Sequence, residues 1–362
     1  MELAQLIEAA VKFKASDIHL TVGHPPRLRV DDELRPLNQP AVTSEQMLEY
    51  VNHLVPEKKR PILEQRRGVD VGHNHQNLVR LRVNAFYQRE SLALVLRLIP
   101  MRPPNPRELE LPTVVDSFTH FRRGMVLVTG PAGSGKSTTL AVMIDILNTH
   151  GNISIATIED PIEYVFENKK AMITQREVGE DVNDFSSGLI QTLRQDPDVI
   201  MVGELRDLET MRVAIQGAET GHLILGTLHT RSAIKTIDRI ISIFPQAEHA
   251  VLFEQLSTNL RAVMTQELVK RAEGHGRIAA LEILVVTQHV AKLIREKKLH
   301  DILEVMRARE EKMQTLDQGL ADLVHQKKIT EEEAGRYAED LFALRRYVKG
   351  VKASGDAGGL AA

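Results

Sequence analysis

The chain has 362 residues, of which 43% are hydrophobic and 26% charged, a composition typical of soluble globular proteins and unlike disordered or fibrous ones. The formal net charge is -3, from 46 Lys and Arg against 49 Asp and Glu. No excess of positive charge is available to neutralise a phosphate backbone, so we expect no nucleic-acid partner. Cysteine is absent, which excludes disulfides, thiolate zinc sites and cysteine nucleophiles and fits a reducing cytoplasm.

The N-terminal segment predicts a cytoplasmic protein with no direct membrane insertion. No apolar run reaches the roughly 18 residues that a membrane span needs, and charges interrupt "MELAQLIEAAVKFKASD" where a signal peptide has an apolar core. Leu3, Leu6, Ile7, Ala10 and Val11 instead form the core-facing stripe of an amphipathic helix.

Residues 1–98 have the pattern of a mixed α/β domain. The predicted strands are "DIHLTV", "PRLRV", "ELRPL", "NLVRLRVNAFYQ" and "ESLALVLRLI". The second and third form a hairpin that turns at Asp31 and Asp32, which are tolerant turn residues. A helix over "TSEQMLEYVNHLV" is expected to begin at a Thr43 or Ser44 cap.

The next segment, residues 99–112, is rich in proline and predicts an extended connector between two domains. Residues 113–286 then alternate strand patterns, beginning with "GMVLVTG", with helices from Lys136, Phe185 and Glu209, which favours a parallel sheet flanked by helices. Residues 287–349 predict a charged helical appendage. Residues 350–362 are small and lack core-forming apolar side chains, which predicts a flexible tail.

A phosphate-binding loop is predicted by "GPAGSGKST", which lies between a strand and an amphipathic helix and fits the pattern G-x-x-x-x-G-K-[ST]. Glycines allow backbone N–H groups to surround phosphate oxygens at a helix N-terminus. Lys136 would reach the β and γ phosphates, and the Ser137 hydroxyl would bind magnesium. The predicted nucleotide-binding residues are Gly130, Pro131, Ala132, Gly133, Ser134, Gly135, Lys136, Ser137 and Thr138.

Two acidic clusters end successive predicted strands, and ligands gather at the carboxyl ends of strands in a parallel sheet. The residues are Glu159, Asp160 and Glu163 in "TIEDPIEY", and Glu204 and Asp207 in "VIMVGELRD". In the second segment Gly203 occupies the position at which a P-loop protein is expected to carry a metal-binding Asp. The sequence therefore raises the question of which residues hold the metal and activate the attacking group.

Two histidines flank the next predicted strand, in "ETGHLILGTLHT". His222 precedes the strand, and His229 follows it beside Thr227 and Thr230. Spacing alone leaves open a γ-phosphate sensor and an ordinary structural role.

These motifs, taken together and in order, resemble the PilT-type type IV pilus retraction ATPases of the secretion and pilus ATPase superfamily. The segments that carry the resemblance are "SDIHL", "GPAGSGKSTT", "TIEDPIEY", "QREVGED", "RQDPDVIMVGELRDLETM", "AETGHLILGTLHT" and "IDRIISIFP". They cover nearly the whole chain. The resemblance implies an α/β protein with an N-terminal PAS-like α+β domain, a RecA-like P-loop ATPase domain and a helical C-terminal appendage, assembled as a homohexamer.

The resemblance also implies roles for individual residues. Glu163 matches the glutamate that acts as general base on the attacking water, and Glu204 matches the Walker B glutamate that organises magnesium and water. His222 and His229 match a histidine box.

Arg82 and Arg97 match arginines that reach the nucleotide across a subunit contact, with Arg194 and Arg206 as competing candidates. The metal would sit on Ser137, with Glu204 nearby. ATP and Mg²⁺ are the implied cofactors.

One segment departs from the retraction-type pattern. Those relatives carry "AIRNLIRE", whereas this chain has "HVAKLIRE" from His289 to Glu296, which keeps only the second half. The difference favours an accessory PilU-like branch.

The main hypothesis is therefore a Mg-dependent motor ATPase that powers pilus retraction and twitching motility. It would work at the inner face of the cytoplasmic membrane at the pilus base, with an inner-membrane platform protein and a paralogous retraction ATPase as partners. The alternatives are an accessory retraction ATPase, a pilus assembly or type II secretion ATPase, and a nucleotide-gated scaffold. A small-molecule kinase is supported by the P-loop alone.

Overall fold

The computed structural model describes residues 2–30, 33–76, 78–99 and 102–350, and it divides into two compact units. The first unit contains the described residues up to Arg102 together with Glu163–Phe166, and the second contains Pro103–Ile162 and the described chain from Glu167 onward. The predicted turn at Asp31 and Asp32, the tail from residue 351 and part of the predicted connector lie outside the described residues.

The first unit consists of three α-helices, a short 3-10 helix at Glu57–Lys59 and one antiparallel sheet of six strands in the order β3-β2-β1-β6-β5-β4. In chain order the elements are α1 (Leu3–Lys12), β1 (Asp17–Thr21), β2 (Arg27–Val30), β3 (Glu33–Pro36), α2 (Ser44–Leu54), α3 (Arg60–Arg66), β4 (Gly68–His75), β5 (Val79–Gln88) and β6 (Ser91–Ile99). The predicted helices and strands are confirmed, and Thr43 is the cap of α2. The elements α3 and β4 are additional to the predicted pattern.

The sheet of the first unit has an apolar face and a charged face because successive strand residues point to opposite sides. The apolar face packs with α1 and α2 in one core that includes Leu6, Ile18, Met47, Leu81 and Leu96. The other face carries a row of directly opposed residues from four neighbouring strands. This row, called the charged row below, consists of Arg29, Asp17, Arg97 and Arg82.

The second unit contains seven strands and eleven α-helices within the described residues. In chain order they are α4 (Thr113–Phe118), β7 (Gly124–Thr129), α5 (Lys136–His150), β8 (Ser154–Glu159), β9 (Met172–Glu177), α6 (Phe185–Thr192), β10 (Val199–Val202), α7 (Leu208–Glu219), β11 (Leu223–Leu228), α8 (Ala233–Ile243), α9 (His249–Asn259), β12 (Leu260–Lys270), β13 (Arg277–Val285), α10 (Gln288–Arg295), α11 (Leu299–Arg307), α12 (Leu316–His325), α13 (Glu331–Tyr337) and α14 (Leu341–Val348).

The strands of the second unit form one sheet in the order β13-β12-β7-β11-β10-β8-β9, parallel except for the edge strand β13. The predicted parallel sheet with alternating helices is thus confirmed. Every residue of the three central strands β7, β11 and β10 is buried, as expected where helices cover both faces. The strands β9, β12 and β13 extend the sheet beyond the predicted alternation.

The chain after Thr287 is helical, as predicted, and runs through α10 to α14. Side-chain oxygens of Thr287, Thr315, Thr330 and Asp340 accept N–H groups at the starts of four of these helices. Among the helices in the described part of the chain, none has the length and apolarity needed to cross a membrane.

Candidate nucleotide site

The predicted phosphate loop lies between β7 and the start of α5, and its glycines are required by the local backbone. Gly130 has φ 139°, and a Cβ there would lie 2.3 Å from the carbonyl oxygen of Gln266. Gly135, the residue before α5, has φ 89°, and a Cβ there would lie 2.8 Å from the Gln266 side-chain nitrogen. Both positions combine a left-handed backbone with a close neighbour, so glycine alone fits them.

Lys136 is the first residue of α5, and its ammonium group is held inside the loop. Its Nζ donates to the carbonyl oxygens of Gly130 at 2.9 Å and Pro131 at 2.8 Å. Both acceptors are neutral, and they hold the positive charge at the N-terminus of a 15-residue helix whose dipole also favours an anion. The buried Ser134 hydroxyl has no hydrogen-bond partner within the described structure. This set of donors fits a phosphate group.

Gln266 on β12 supports the loop from the neighbouring strand, and sequence analysis did not identify it. Its side-chain amide donates to the carbonyl oxygen of Ser134 at 2.7 Å and accepts from the Thr139 hydroxyl at 2.9 Å. The side chain is buried, so these bonds satisfy polar atoms that would otherwise be unpaired. A buried glutamine in an otherwise apolar strand pattern was the signal in the sequence.

Glu267, the next residue of β12, adds a carboxyl group close to the loop lysine. Burial raises the pKa of Glu267, while the positive charges of Arg231 and Lys136 act in the opposite direction. No motif in the sequence marks this carboxyl group either. Because Glu267 interacts electrostatically with Lys136, the net charge at the loop depends on a residue of β12 as well as on the P-loop.

Glu204 and His229 come together because they follow two neighbouring parallel strands, β10 and β11. His229 Nε2 lies 3.5 Å from Glu204 Oε1, and Arg206 Nη1 lies 3.9 Å from Glu204 Oε2. The Glu204 side chain is 29% exposed, so it is reachable by water. The P-loop follows β7, the other neighbour of β11, so all three segments stand at the same edge of the sheet.

Gly203, which stands at the position of the expected metal-binding Asp, lies close against β8. A Cβ at this position would be 3.3 Å from the carbonyl oxygen of Ile158 and 3.4 Å from the Glu159 Cα. The Thr227 hydroxyl also donates to the Gly203 carbonyl oxygen. The close approach of β8 leaves no room for a carboxylate here without backbone movement.

His222 lies at the opposite edge of the sheet from His229. The two residues flank β11, and a strand of six residues spans about 20 Å. His222 Nδ1 donates to the carbonyl oxygen of Gly217, near the end of α7. The histidine box predicted from the sequence is therefore not brought together within one chain, because the segment between its two histidines is an extended strand.

The first acidic cluster is divided between the two units. Glu159, the last residue of β8, is buried and accepts from the Thr157 hydroxyl at 2.7 Å and the Gln175 amide at 3.1 Å. These bonds give Glu159 a structural role in the second unit. Glu163 is exposed and lies in the segment that groups with the first unit.

Arg82 and Arg97 are neighbours in the charged row of the first unit. Arg97 Nε donates to Oδ1 of the buried Asp17 at 3.0 Å, and Arg29 Nε lies 3.9 Å from Asp17 Oδ2. Arg82 Nε lies 3.6 Å from Asp70 Oδ1, where both side chains are partly exposed. Of the competing candidates, Arg206 stands beside Glu204 and Arg194 is exposed.

A magnesium ion would need ligands beyond protein side chains. Within the described residues no group of three or more His, Asp or Glu side chains is arranged to hold a metal ion. Ser137 lies at the start of α5 immediately after Lys136, where phosphate oxygens would supply further ligands. The donor set fits a metal that arrives with a nucleotide and retains several waters.

The segment from His289 to Glu296 forms most of α10. Its retained residues Leu293 and Ile294 are buried, and Arg295 Nε lies 3.0 Å from Glu254 Oε2 on α9. Val290 in the unmatched half is buried as well, so both halves of the segment pack against the domain.

Comparisons with known proteins agree with this architecture. The chain is 43% identical over 340 residues to the type IV pilus retraction ATPase PilT of Pseudomonas aeruginosa, covering 94% of this chain and 98% of the relative. It is 39% identical to the type IV pilus ATPase PilU of the same organism, covering 96% of this chain and 92% of PilU. A crystal structure of the pilus retraction motor PilT with bound ADP superposes with a TM-score of 0.90 at 43% identity, covering 96% of this chain and 99% of that one.

The superposition supports the predicted fold class of an N-terminal PAS-like α+β domain followed by a RecA-like P-loop domain with helical C-terminal elements. The family model described as "Type II/IV secretion system protein" matches residues 2–336. The chain belongs to this family of Type II/IV secretion system proteins.

Proposed function

We propose that this protein is a Mg-dependent motor ATPase that powers type IV pilus retraction and twitching motility. The observation that carries the proposal is the convergence of the P-loop lysine with the Glu204–His229 pair at one edge of the sheet. The similarity to a pilus retraction ATPase over nearly the full length of both chains supports it. The proposed domains are residues 1–98, a connector at 99–112, an ATPase core at 113–286, helices at 287–349 and a tail at 350–362.

The roles of the loop follow from its geometry. Backbone N–H groups of residues 132–138 would surround the phosphates of ATP, and Lys136 would exchange its carbonyl partners for the β and γ phosphates. Ser137 and Glu204 are the residues that would hold Mg²⁺ together with the phosphates. A metal at this place would supply positive charge next to the transferred phosphoryl group.

The residues proposed to activate the attacking water are Glu163, Glu204 and His229. Glu163 is the proposed general base for the attacking water, and Glu204 orients that water. His229, 3.5 Å from Glu204, positions this carboxylate and responds to the γ phosphate. His229 lies at the other end of β11 from His222. His222 would therefore act in the histidine box only in an assembly in which another copy of the chain completes the site.

Arg82 and Arg97 are proposed to act across a subunit contact in a homohexamer. A head-to-tail ring gives every copy the same shared site, and an arginine from a neighbour neutralises charge that develops during phosphoryl transfer. The proposed place of work is the inner face of the cytoplasmic membrane at the pilus base, on an inner-membrane platform protein. A paralogous retraction ATPase is the second proposed partner.

The central test is hydrolysis by the purified full-length protein. We expect Mg-dependent ATPase activity that falls about 100-fold or more in Glu204→Gln, with nucleotide binding retained. Glu209→Gln, an exposed change in the first turn of α7, is the matched control and should keep the activity. Unchanged turnover in Glu204→Gln would remove the proposed role.

Deletion of the gene tests the cellular function. We expect cells that retain surface pili but fail to retract them and fail to twitch. Loss of pili would instead indicate an assembly ATPase.

An accessory retraction ATPase is the second candidate, favoured by the incomplete match at His289–Glu296. The identity to PilU is lower than that to PilT, at 39% against 43%, so the principal motor remains the main proposal. Retraction that persists in the deletion strain while a paralogous ATPase is present would favour the accessory role.

A further inference from the structure

Glu282 is a buried carboxyl group outside the nucleotide site. It lies on β13 and is 2% exposed. Within the described residues it makes no hydrogen bond to the P-loop or to the Glu204–His229 pair. Its Oε1 accepts the backbone N–H of Ala233 at 2.5 Å, and the backbone N–H of Leu316 lies near enough to lower the pKa of the same carboxyl group. Ala233 and Leu316 are 83 residues apart in the sequence, so Glu282 joins distant parts of the second unit.

Both donors are the first residues of helices, α8 and α12. The first N–H groups of a helix have no partner within the helix, and its dipole favours a negative charge at this end. The caps Ser232 and Thr315 accept the N–H groups of Lys235 and Gln318, which lie two residues further along each helix. Glu282 therefore accepts the first N–H group of α8, which the cap leaves unpaired, and it lies beside the corresponding N–H group of α12.

The α8 end of this connection leads to His229. The Thr230 and Thr236 hydroxyls lie 2.6 Å apart, and Thr236 donates to the Ser232 carbonyl oxygen at 2.8 Å. These bonds fix the segment between β11 and α8, which begins with His229 beside Glu204. The position of the α8 N-terminus thus determines where this segment can stand.

The α12 end is attached equally closely to β13. Gln314 and Ile283 exchange two backbone hydrogen bonds of 2.8 and 3.0 Å, and the Gln314 amide donates to the Leu281 carbonyl oxygen at 2.8 Å. A Cβ on Gly319 of α12 would lie 2.5 Å from the same Leu281 oxygen. The first turns of α12 therefore rest directly on the strand backbone on either side of Glu282.

The ionisation of Glu282 lies near neutral pH. Burial raises its pKa to about 7, against the hydrogen bonds from Ala233 and Leu316, which lower it. The negative charges of Glu339 and Asp317 also raise it. An ionised carboxylate accepts both N–H groups with two oxygens, whereas protonation removes the charge and converts one oxygen into a donor.

We propose that Glu282 is a positioning residue that links the C-terminal helices to the catalytic edge of the sheet by holding the first N–H groups of α8 and α12 on one carboxylate. The inference rests on the proposed ATPase function. Glu282 acts through α8 on the His229 segment and does not touch the nucleotide. The C-terminal helices thereby set the position of His229 relative to Glu204.

The test is the pH profile of ATP hydrolysis by the full-length protein. The wild type should lose kcat as pH falls through about 7, and Glu282→Gln should have a kcat about tenfold lower with this limb absent. Binding of a fluorescent ATP analogue should stay within about twofold, because the P-loop is untouched. Hydrogen exchange of the amides at 230–236 and 316–318 should become faster in the variant.

Leu320→Ala is the matched control, because Leu320 is a buried residue of α12 that belongs to a separate apolar cluster of the C-terminal helices. It should lower thermal stability while leaving the shape of the pH profile unchanged. A folded Glu282→Gln protein with wild-type kcat and the same pH profile would overturn the inference. Absence of ATPase activity in the wild type would instead contradict the proposed function. The hydrogen-exchange measurement would still test whether Glu282 links α8 to α12.

A second variant covers the case in which Glu282→Gln does not fold. Ala233→Pro removes the N–H donor to Glu282 at the first helical position, where proline is well tolerated, and its ring Cδ displaces the carboxylate oxygen from this place. The preceding Ser232 has φ -153° and ψ 160°, an extended conformation compatible with a following proline. A reduced kcat is expected here too, and an unchanged kcat would overturn the inference.

Discussion

The two sheets of this protein present their functional side chains in different ways. In the second unit the candidate catalytic groups follow strand ends, where β7, β10 and β11 deliver the P-loop, Glu204 and His229 to one edge. In the first unit the arginines stand in mid-strand, as members of the charged row on one face. The central strands of the parallel sheet are buried on both sides, so their candidate functional side chains follow the strand ends, whereas one face of the antiparallel sheet carries charged residues along its strands.

This difference determines how each site tolerates change. A site at a strand end depends on backbone conformation, because loops must turn sharply within a few residues. A site on a sheet face depends on side-chain pairs between strands, which can be removed one at a time. Substitutions in the two units should therefore differ in size and in kind.

The largest effect is expected at the strand end before α5. Gly130→Ala should weaken nucleotide binding about 100-fold or more, because the added Cβ would overlap the Gln266 carbonyl oxygen. Gly133→Ala meets no atom within 4 Å and has only its φ of 77° against it, so it should lose far less. Titration with a fluorescent nucleotide measures both. Equal losses would show that the close approach to β12 does not matter.

On the sheet face, the buried member of the charged row should matter most. Asp17→Ala removes the partner of Arg97 and Arg29 and should lower the free energy of unfolding by about 1–3 kcal/mol. Asp70→Ala breaks an exposed pair with Arg82 and should change it by less than about 1 kcal/mol. Urea denaturation compares the two. Similar values would mean that burial of Asp17 contributes nothing.

A third comparison concerns the two ends of β11. His229→Ala should reduce kcat about tenfold, because it removes the neighbour of Glu204. His222→Ala should mainly lower stability by about 1 kcal/mol through the lost bond to Gly217. Steady-state kinetics and thermal unfolding separate these outcomes. A comparable fall in kcat for His222→Ala would support completion of the site by another copy.

The smallest change in the free energy of unfolding is expected at Glu110, which lies outside both sheets. It shows how much an ion pair near the surface contributes to stability. Hydrogen bonds from Lys328 and Arg271 lower the pKa of Glu110. A lowered folded-state pKa contributes stability above the unfolded value and loses it as pH falls through the folded value.

Glu110→Gln should therefore reduce the free energy of unfolding by about 0.5 kcal/mol at pH 7, since the side chain is partly exposed. The reduction should disappear in strong acid. Denaturation of Glu110→Gln and of the exposed control Glu108→Gln at both pH values tests this sign, and a loss that persists in acid would contradict it.

Sequence patterns predicted features that are contiguous in the chain. The P-loop is one run of nine residues, and the parallel strands are recognisable as apolar runs between helices. Gln266 escaped prediction because its contacts to Ser134 and Thr139 join residues more than 120 positions apart. His222 was grouped with His229 because both match the histidine box of the family that the chain resembles, and the strand predicted between them is the one that holds them apart.

Two further features also depend on tertiary structure. The charged row could not be distinguished from a solvated face by alternation alone, since its order depends on strand pairing across the first unit. Glu282 lies on β13, a strand that the sequence patterns did not predict, and its role depends on the two helix starts that meet it.

The close approach of Gly203 to β8 has a consequence for engineering. Grafting the missing Asp at this position would require β8 to shift by a few tenths of an ångström, because the Ile158 carbonyl oxygen lies 3.3 Å from the Cβ site. The close approach of β8 thus disfavours an acid at this position. A designer who wished to strengthen the metal site would need to begin from the neighbouring Glu204 and keep this glycine.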